Sequence, residues 1–204
     1  MRLIYGTHNR AKLDAMRRYV EPIGLDIIEP PGMEDVIPLV DESGSDPLEN
    51  AELKARAFFS VFRQPVFACD SGLFFDEAVP EDQPGTHVRR ARGRDLTDDQ
   101  MIMHYAALAK KYGGRLTARY QNAICLIVDE TRIYRSKDEA LSGERFWLVD
   151  MPHSRRNPGF PLDTLSVDMN TGQYFFDLPG AGVQATAIGA GFCTFFEQAL
   201  CFTK

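Results

Sequence analysis

The chain reads as an α/β protein built on a mixed sheet. Short apolar runs alternate with segments of helical period through the first hundred residues, and strand-type alternation takes over after Arg115. There is no internal repeat and no compositional break that would mark a linker, so residues 1–204 are expected to form a single domain. A hydrophobic fraction of 44% in 204 residues is enough for one sizeable core.

Arg2 to Tyr5 is an apolar run ending at Gly6, and Leu13, Met16 and Val20 then recur at helical spacing within Asn9 to Val20. Strand, tight turn and helix follow one another there. Leu25 to Ile28 predicts a second strand, and Pro30, Pro31, Gly32 and Pro38 mark irregular chain leading to the acidic loop Asp41-Glu42-Ser43-Gly44. Asp46-Pro47-Leu48-Glu49 is a helix start, with Asp46 as cap, Pro47 at the first helical position and Glu49 reaching back as in a capping box. That helix is expected to end near Phe62. Pro65 to Cys69 predicts a third strand, stopped by Asp70-Ser71-Gly72, and Pro80 to Gly93 reads as a polar loop. Thr97-Asp98-Asp99-Gln100 opens a helix that Gly113-Gly114 ends. Leu116 to Val128 and Ile133 to Ser136 read as neighbouring strands joined at Asp129-Glu130-Thr131, with a further strand at Arg145 to Val149. The glycines 180, 182, 189 and 191 leave the last stretch without an assignment.

A net charge of -6 argues against a nucleic-acid polymer as the main partner, because a surface that binds a phosphate backbone is usually basic. Arg89, Arg90, Arg92 and Arg94, with Arg155 and Arg156, therefore read as solvated loop residues. Four widely spaced cysteines, Cys69, Cys125, Cys193 and Cys201, suggest free thiols in a reducing compartment. His8, His87, His104 and His153 lack metal-ligand spacing. The aromatics of Tyr174 to Phe176 and Phe192 to Phe196 read as core or dimer surface. No stretch is apolar enough to span a bilayer and the first residues run into a turn, so no membrane partner and a cytoplasmic location are expected.

Three segments carry candidate chemistry. Gly6-Thr7-His8-Asn9-Arg10-Ala11-Lys12 lies where a strand becomes a helix, a place where backbone N–H groups and the helix dipole favour a phosphate; an ordinary helix cap uses the same residues. Glu42 is followed by Glu49-Asn50-Ala51 and Lys54, with Asn50 and Lys54 on one helix face. Asp70-Ser71-Gly72-Leu73 closes the third strand and puts Asp70 at a strand's carboxyl end, where open α/β sheets gather ligands. Carboxylates beside a polyphosphate are what magnesium needs, and manganese suits the same ligands.

Taken in order, Thr7-x-Asn9-x-x-Lys12, Glu42-Ser43-Gly44, Glu49-Asn50-Ala51 with Lys54-Ala55, Asp70-Ser71-Gly72-Leu73 and Pro84-Gly85 followed by Arg90 resemble the signature of the Ham1/ITPase family, pyrophosphatases of non-standard purine nucleoside triphosphates. The likeness covers the first hundred residues, thins through Ala118-Arg119-Tyr120 and Gly159 to Asp163, and ends there. It implies a Maf/Ham1-like (ITPase-like) fold, a central mixed twisted sheet flanked by helices with two lobes around a nucleotide cleft. It implies also a homodimer, a magnesium-bound nucleoside triphosphate, and hydrolysis of ITP, XTP or dITP to NMP and pyrophosphate. On that pattern Asp70 binds metal and is the catalytic base, Glu42 is the second metal ligand, and Thr7, Asn9, Lys12, Lys54 and Ser71 attend the phosphates. Arg90, Phe160 and Asp163 contact the phosphate or base.

The sequence departs from the pattern in two places. Cys69 stands where many members carry a second acid, and Pro161, Leu162 and Thr164 replace parts of the base-contacting segment, with no Ser-His-Arg anywhere. Two other readings stay open: a pyrophosphatase for a different modified nucleotide, and a nucleotide-binding or sensing protein with little turnover.

Overall fold

The structure is a computed structural model that describes residues 1–32, 44–91, 93–178 and 183–201, with only the backbone of 183–187. Asp41, Glu42, Ser43, Pro38, Arg92, Gly180 and Gly182, for which the sequence sets expectations, lie outside the described residues.

In chain order the elements are β1 (Arg2–Tyr5), α1 (Arg10–Val20), β2 (Asp26–Ile28), α2 (Pro47–Phe62), β3 (Val66–Phe75), β4 (Arg90–Ala91), β5 (Arg94–Asp95), α3 (Asp98–Lys111), β6 (Arg115–Ile127), β7 (Ile133–Ser136), β8 (Phe146–Val149), β9 (Ser166–Val167) and α4 (Val183–Leu200). The main sheet runs β2-β1-β3-β6-β8-β9, with β7 also paired to β6. It is mixed: β1 is parallel to β2 and β3, whereas β6 is antiparallel to β7 and β8. Helix starts follow the caps expected from sequence. Asn9 accepts from the Ala11 and Lys12 amides, and Thr97 and Gln100 form a reciprocal capping box. Asp46 caps α2 through the Leu48 amide, while its other oxygen pairs with Lys137, without the expected return bond from Glu49 among the described residues. Gly113 and Gly114, at φ 86° and 100°, let the chain turn out of α3.

Two compact units are present. The first comprises Met1–Ser71, Gln121–Ser142 and Ala185–Lys204. Period-two alternation sorts its strand residues to opposite faces. Leu3, Tyr5, Phe67, Ile124 and Leu126 pack with Leu13 and Met16 of α1 and with Phe192 and Phe196 of α4. Ile4, Val66, Ala68, Ala123, Cys125 and Ile127 pack with Ala51, Ala55 and Phe58 of α2. The second unit comprises Gly72–Tyr120 and Gly143–Gln184, with Leu73, Phe75, Leu116, Ala118, Phe146 and Leu148 packed against Met101, Ile102 and Tyr105 of α3.

Two expectations are corrected. The third strand does not stop at Asp70; β3 continues through Ser71 and Gly72 to Phe75. Leu73 and Phe75 are buried on one face, and the Leu73 amide donates to the Gly85 carbonyl. Glycine suits position 72, where a Cβ would lie 2.7 Å from the Phe74 ring and 3.2 Å from the Gly85 oxygen. The unassigned last stretch is the helix α4, whose aromatic residues Phe192, Phe195 and Phe196 are core.

Candidate active site

The first unit gathers most of the chemistry. The Gly6 amide at the end of β1 donates to the Phe67 carbonyl, and a Cβ at Gly6 would meet the Phe58 ring at 3.0 Å, so only glycine fits this turn without displacing the ring. Thr7 Oγ1 accepts from the Asn9 amide at 3.2 Å, and Asn9 Oδ1 accepts from the amides of Ala11 and Lys12 at 2.9 and 3.2 Å. The helix-cap role of these residues is therefore realised here. The Thr7 hydroxyl remains a donor, and a phosphate arriving at α1 would take up the amides that Asn9 now holds.

Helix α2 turns Ala51, Ala55 and Phe58 into the core, and Asn50 and Lys54, one turn apart, lie beside that buried stripe. Both reach Asp70. Lys54 Nζ donates to Asp70 Oδ1 at 2.6 Å and Asn50 Nδ2 donates to Oδ2 at 3.1 Å. The Lys54 and Asp70 side chains are only 12% and 8% exposed, so this ion pair sits largely out of water, where loss of one partner is far more costly than at a surface. Asn50 is 1% exposed and also holds Gly44, accepting from its amide at 3.0 Å and donating to its carbonyl at 3.2 Å. It fixes the start of α2 and the Asp70 carboxylate together. Sequence alone placed Asn50 on the Lys54 face without assigning it a role.

Although β3 continues past Asp70, the parallel pairing with β1 ends at Tyr5 opposite Phe67. Asp70 thus lies three residues beyond the carboxyl end of β1, the side on which parallel sheets bind ligands. By alternation Cys69 and Ser71 face the other way. Cys69 packs against the core formed with α1, beside Tyr5. Burial pushes its thiol up to about 12, opposed more weakly by the Tyr5 hydrogen bond and by Lys12 and Lys54. It is a neutral thiol at physiological pH, and the packing role holds. Burial likewise raises the Tyr5 phenol, with Cys69 adding to the effect. Ser71 Oγ donates to Asn122 Oδ1 at 2.7 Å.

Asp70 fits a divalent cation. Each carboxylate oxygen has two lone-pair directions, so bonds from Lys54 and Asn50 leave each oxygen able to act as a hard ligand, and magnesium commonly takes one or two carboxylates and fills its shell with water and phosphate. Among the described residues no group of three or more His, Cys, Asp or Glu gathers around a common point.

The remaining sequence candidates belong to the second unit. Arg90 lies in the short β4–β5 hairpin, opposite Asp95, to which its Nε donates at 3.2 Å. Its neighbour Arg89 is the one tied towards the 157–163 turn: Arg89 donates to Asp98 Oδ1, and Asp98 Oδ2 accepts from the Gly159 amide. Phe160 and Asp163 share that turn, the Asp163 amide donating to the Phe160 carbonyl at 3.2 Å. Asn157 Nδ2 donates to Asp163 Oδ2 at 2.7 Å. Burial raises the Asp163 carboxyl above the ordinary aspartate range, with the Asn157 bond opposing.

Comparison with known proteins identifies the family. Residues 3–154 match the Ham1 family. A dITP/XTP pyrophosphatase of Symbiobacterium thermophilum is 33% identical over 168 residues, covering 81% of this chain and 78% of that protein. Another dITP/XTP pyrophosphatase, from an Exiguobacterium species, is 34% identical over 128 residues, 62% of each chain. Among solved structures, a Ham1 protein from Coxiella burnetii superposes with a TM-score of 0.73 at 20% identity, over 97% of this chain and 99% of that one, which speaks for the fold. The match through residues 3–154, together with these relatives, makes the chain a member of the Ham1 family.

Proposed function

We propose that this protein is a nucleoside triphosphate pyrophosphatase that hydrolyses non-standard purine substrates such as ITP, XTP or dITP to the monophosphate and pyrophosphate, clearing them from the nucleotide pool. The observation that carries this reading is the buried Asp70 carboxylate, held by Lys54 and Asn50 just beyond the carboxyl end of β1. Its relatives named dITP/XTP pyrophosphatase support the substrate class. The family match spans residues 3 to 154 and so takes in parts of both units, which supports a single domain.

In this reading Asp70 orients the attacking water and accepts its proton. Oxygen attacks the α-phosphorus, the bond to the α,β-bridging oxygen breaks, and pyrophosphate leaves. Lys12 and Lys54 stabilise charge where it develops on the phosphate oxygens, and Thr7, Asn9 and Ser71 line the phosphate path. Asp70 would hold a magnesium ion, or manganese in its place, with Glu42 as the second acidic partner that the family likeness implies. Such an ion, when bound, supplies positive charge to the polyphosphate. Arg90, Phe160 and Asp163 are proposed contacts for the base end of the substrate. Homodimer assembly and a cytoplasmic setting belong to the same reading; no helix among the described residues is long and apolar enough to cross a membrane.

The test is pyrophosphate release from ITP, XTP, dITP and the eight standard nucleotides, with and without magnesium. Asp70→Asn is expected to lower kcat by at least about a hundredfold, the scale of losing a key electrostatic group, while nucleotide binding changes only a few-fold. Turnover confined to another nucleotide keeps the mechanism and replaces the substrate. Tight binding without release from any of them favours a nucleotide sensor.

A further inference from the structure

We propose that Lys54 is an exchangeable counter-ion of Asp70: without nucleotide it occupies the carboxylate and opposes a divalent cation there, and it moves to a phosphate oxygen when a polyphosphate binds. This rests on the pyrophosphatase reading and adds an order of events to it, in which metal arrives together with the polyphosphate and not before.

The two partners of Asp70 differ in kind. Asn50 is neutral, buried and fixed by the backbone of Gly44, whose amide donates to Oδ1 at 3.0 Å and whose carbonyl accepts from Nδ2 at 3.2 Å. A Cβ on Gly44 would lie 2.5 Å from that Oδ1, so the two groups are closely fitted. The bond from Asn50 Nδ2 to Asp70 Oδ2, at 3.1 Å, therefore comes from an anchored group. Lys54 is the opposite: a point charge at the end of a flexible four-carbon stem, donating to Oδ1 at 2.6 Å.

Charge decides the exchange. With the two side chains 12% and 8% exposed, little water screens the pair. Lone pairs remain on both carboxylate oxygens, but a doubly charged ion that approaches them meets an ammonium already in place and is repelled. A polyphosphate reverses the balance, because it offers Lys54 several anionic oxygens in exchange for one carboxylate. Its proposed place at the start of α1 is near: the charges of Lys12, in the first turn of that helix, and of Lys54 both act on the Cys69 thiol. When Lys54 leaves, Asn50 keeps Oδ2 and the setting of the carboxylate, and Oδ1 is left to the metal. The start of α1 is in the same condition, with Asn9 Oδ1 holding the Ala11 and Lys12 amides that a phosphate would take.

The test uses manganese(II) as the metal probe, its free fraction read by electron paramagnetic resonance, on wild type, Lys54→Met, Lys54→Gln and Asp70→Asn, with thermal unfolding recorded for each. In the absence of nucleotide, Lys54→Met is expected to bind manganese at least about tenfold more tightly than wild type, and Asp70→Asn to lose the site. In EDTA, inorganic tripolyphosphate should bind Lys54→Met at least about fivefold more weakly than wild type by calorimetry. Lys54→Gln can still donate to Asp70 but carries no charge, so it should follow Lys54→Met in both measurements, and it decides alone if the methionine variant does not fold. Manganese affinity that stays level or falls in the lysine variants, a manganese site that survives Asp70→Asn, or tripolyphosphate affinity unchanged by loss of Lys54 would overturn the proposal. Neither measurement needs turnover. A protein that binds as expected but releases pyrophosphate from no nucleotide sinks the enzyme reading and leaves the exchange standing, whereas an active protein with unchanged manganese affinity sinks only the exchange.

Discussion

Replacing Gly191 by alanine should destabilise the protein even though it improves a helix. In isolation Gly→Ala inside a helix is favourable by about 1 kcal/mol. At position 191, however, the new Cβ would lie 1.9 Å from the Ala140 oxygen, 2.5 Å from its carbonyl carbon and 3.1 Å from the Leu141 nitrogen. All three are backbone atoms, so no rotamer change relieves the clash, and α4 or the short helical turn Glu139–Leu141 must shift by more than an ångström. Overpacking of this kind costs about 1–3 kcal/mol, and a shift large enough to break the bond from Asn122 Nδ2 to the Leu141 carbonyl adds about 1 kcal/mol. The net expectation is a loss of about 2 kcal/mol, or about 4–8 °C in Tm for a chain of this size. Gly189 is the internal control on the same helix. Its Cβ would meet Tyr19 Cδ1 at 3.1 Å, a ring that can move, so Gly189→Ala should be neutral or slightly stabilising. Thermal unfolding of both variants checks the argument, and a Gly191→Ala protein as stable as wild type would refute the close approach of α4 to that turn.

Three further outcomes are expected. Hydrogen bonds from Arg135 first, and then Arg56, hold the Glu52 carboxyl at about 2, against an ordinary 4.5. A depressed carboxylate stabilises the fold fully above the unfolded value and loses that contribution as pH falls, here from about 4.5 towards 2. After allowance for solvent screening, Glu52→Gln should therefore cost about 1 kcal/mol at pH 6 and almost nothing near pH 2; urea unfolding of both proteins at the two pH values, with an unchanged gap, would contradict the pairing. Burial pushes the Cys125 thiol to about 11 and that of the half-buried Cys69 to about 12, while Cys201 is exposed, so a thiol reagent at pH 8 should label Cys201 first, Cys69 more slowly and the buried Cys125 only on unfolding. Labelling of Cys125 in the folded protein at a comparable rate would refute its burial. Cys69→Ser should keep kcat within about threefold across a magnesium titration, because a neutral thiol supplies no charge to the site; a loss of tenfold or more would give the sulfur a part that its environment does not suggest.

Local chemistry made much of the fold legible. The caps at Asn9, Asp46 and Thr97 place three helix starts in the sequence, because each cap is settled by atoms within three residues. The two corrections have long-range causes. Asp70-Ser71-Gly72 carries turn residues, yet it stays in a strand because the Leu73 amide pairs with the Gly85 carbonyl and Leu73 and Phe75 are buried in the core. The glycines of α4 lower helix propensity, and Gly191 is there to admit the backbone of Ala140, a contact with no local signature. The site divides in the same way. Thr7, Asn9, Lys12, Lys54 and Asp70 stand in ordered motifs, whereas the part Asn50 plays rests on a bond to Asp70, 20 residues away.

The alternation of β3 also explains why the missing acid at position 69 need not weaken Asp70. Successive strand residues point to opposite faces, and Asp70 turns towards Asn50 and Lys54 of α2 while Cys69 turns into the core that α1 covers. A carboxylate at 69 would thus enter the surroundings of Tyr5, where burial already raises both the phenol and the thiol, and the same burial would oppose its ionisation. The neutral sulfur avoids that cost. On the proposed reading Asp70 supplies a carboxylate and Lys12 and Lys54 supply cations at the phosphate end, and the charge balance there would pass to what the substrate and its metal bring.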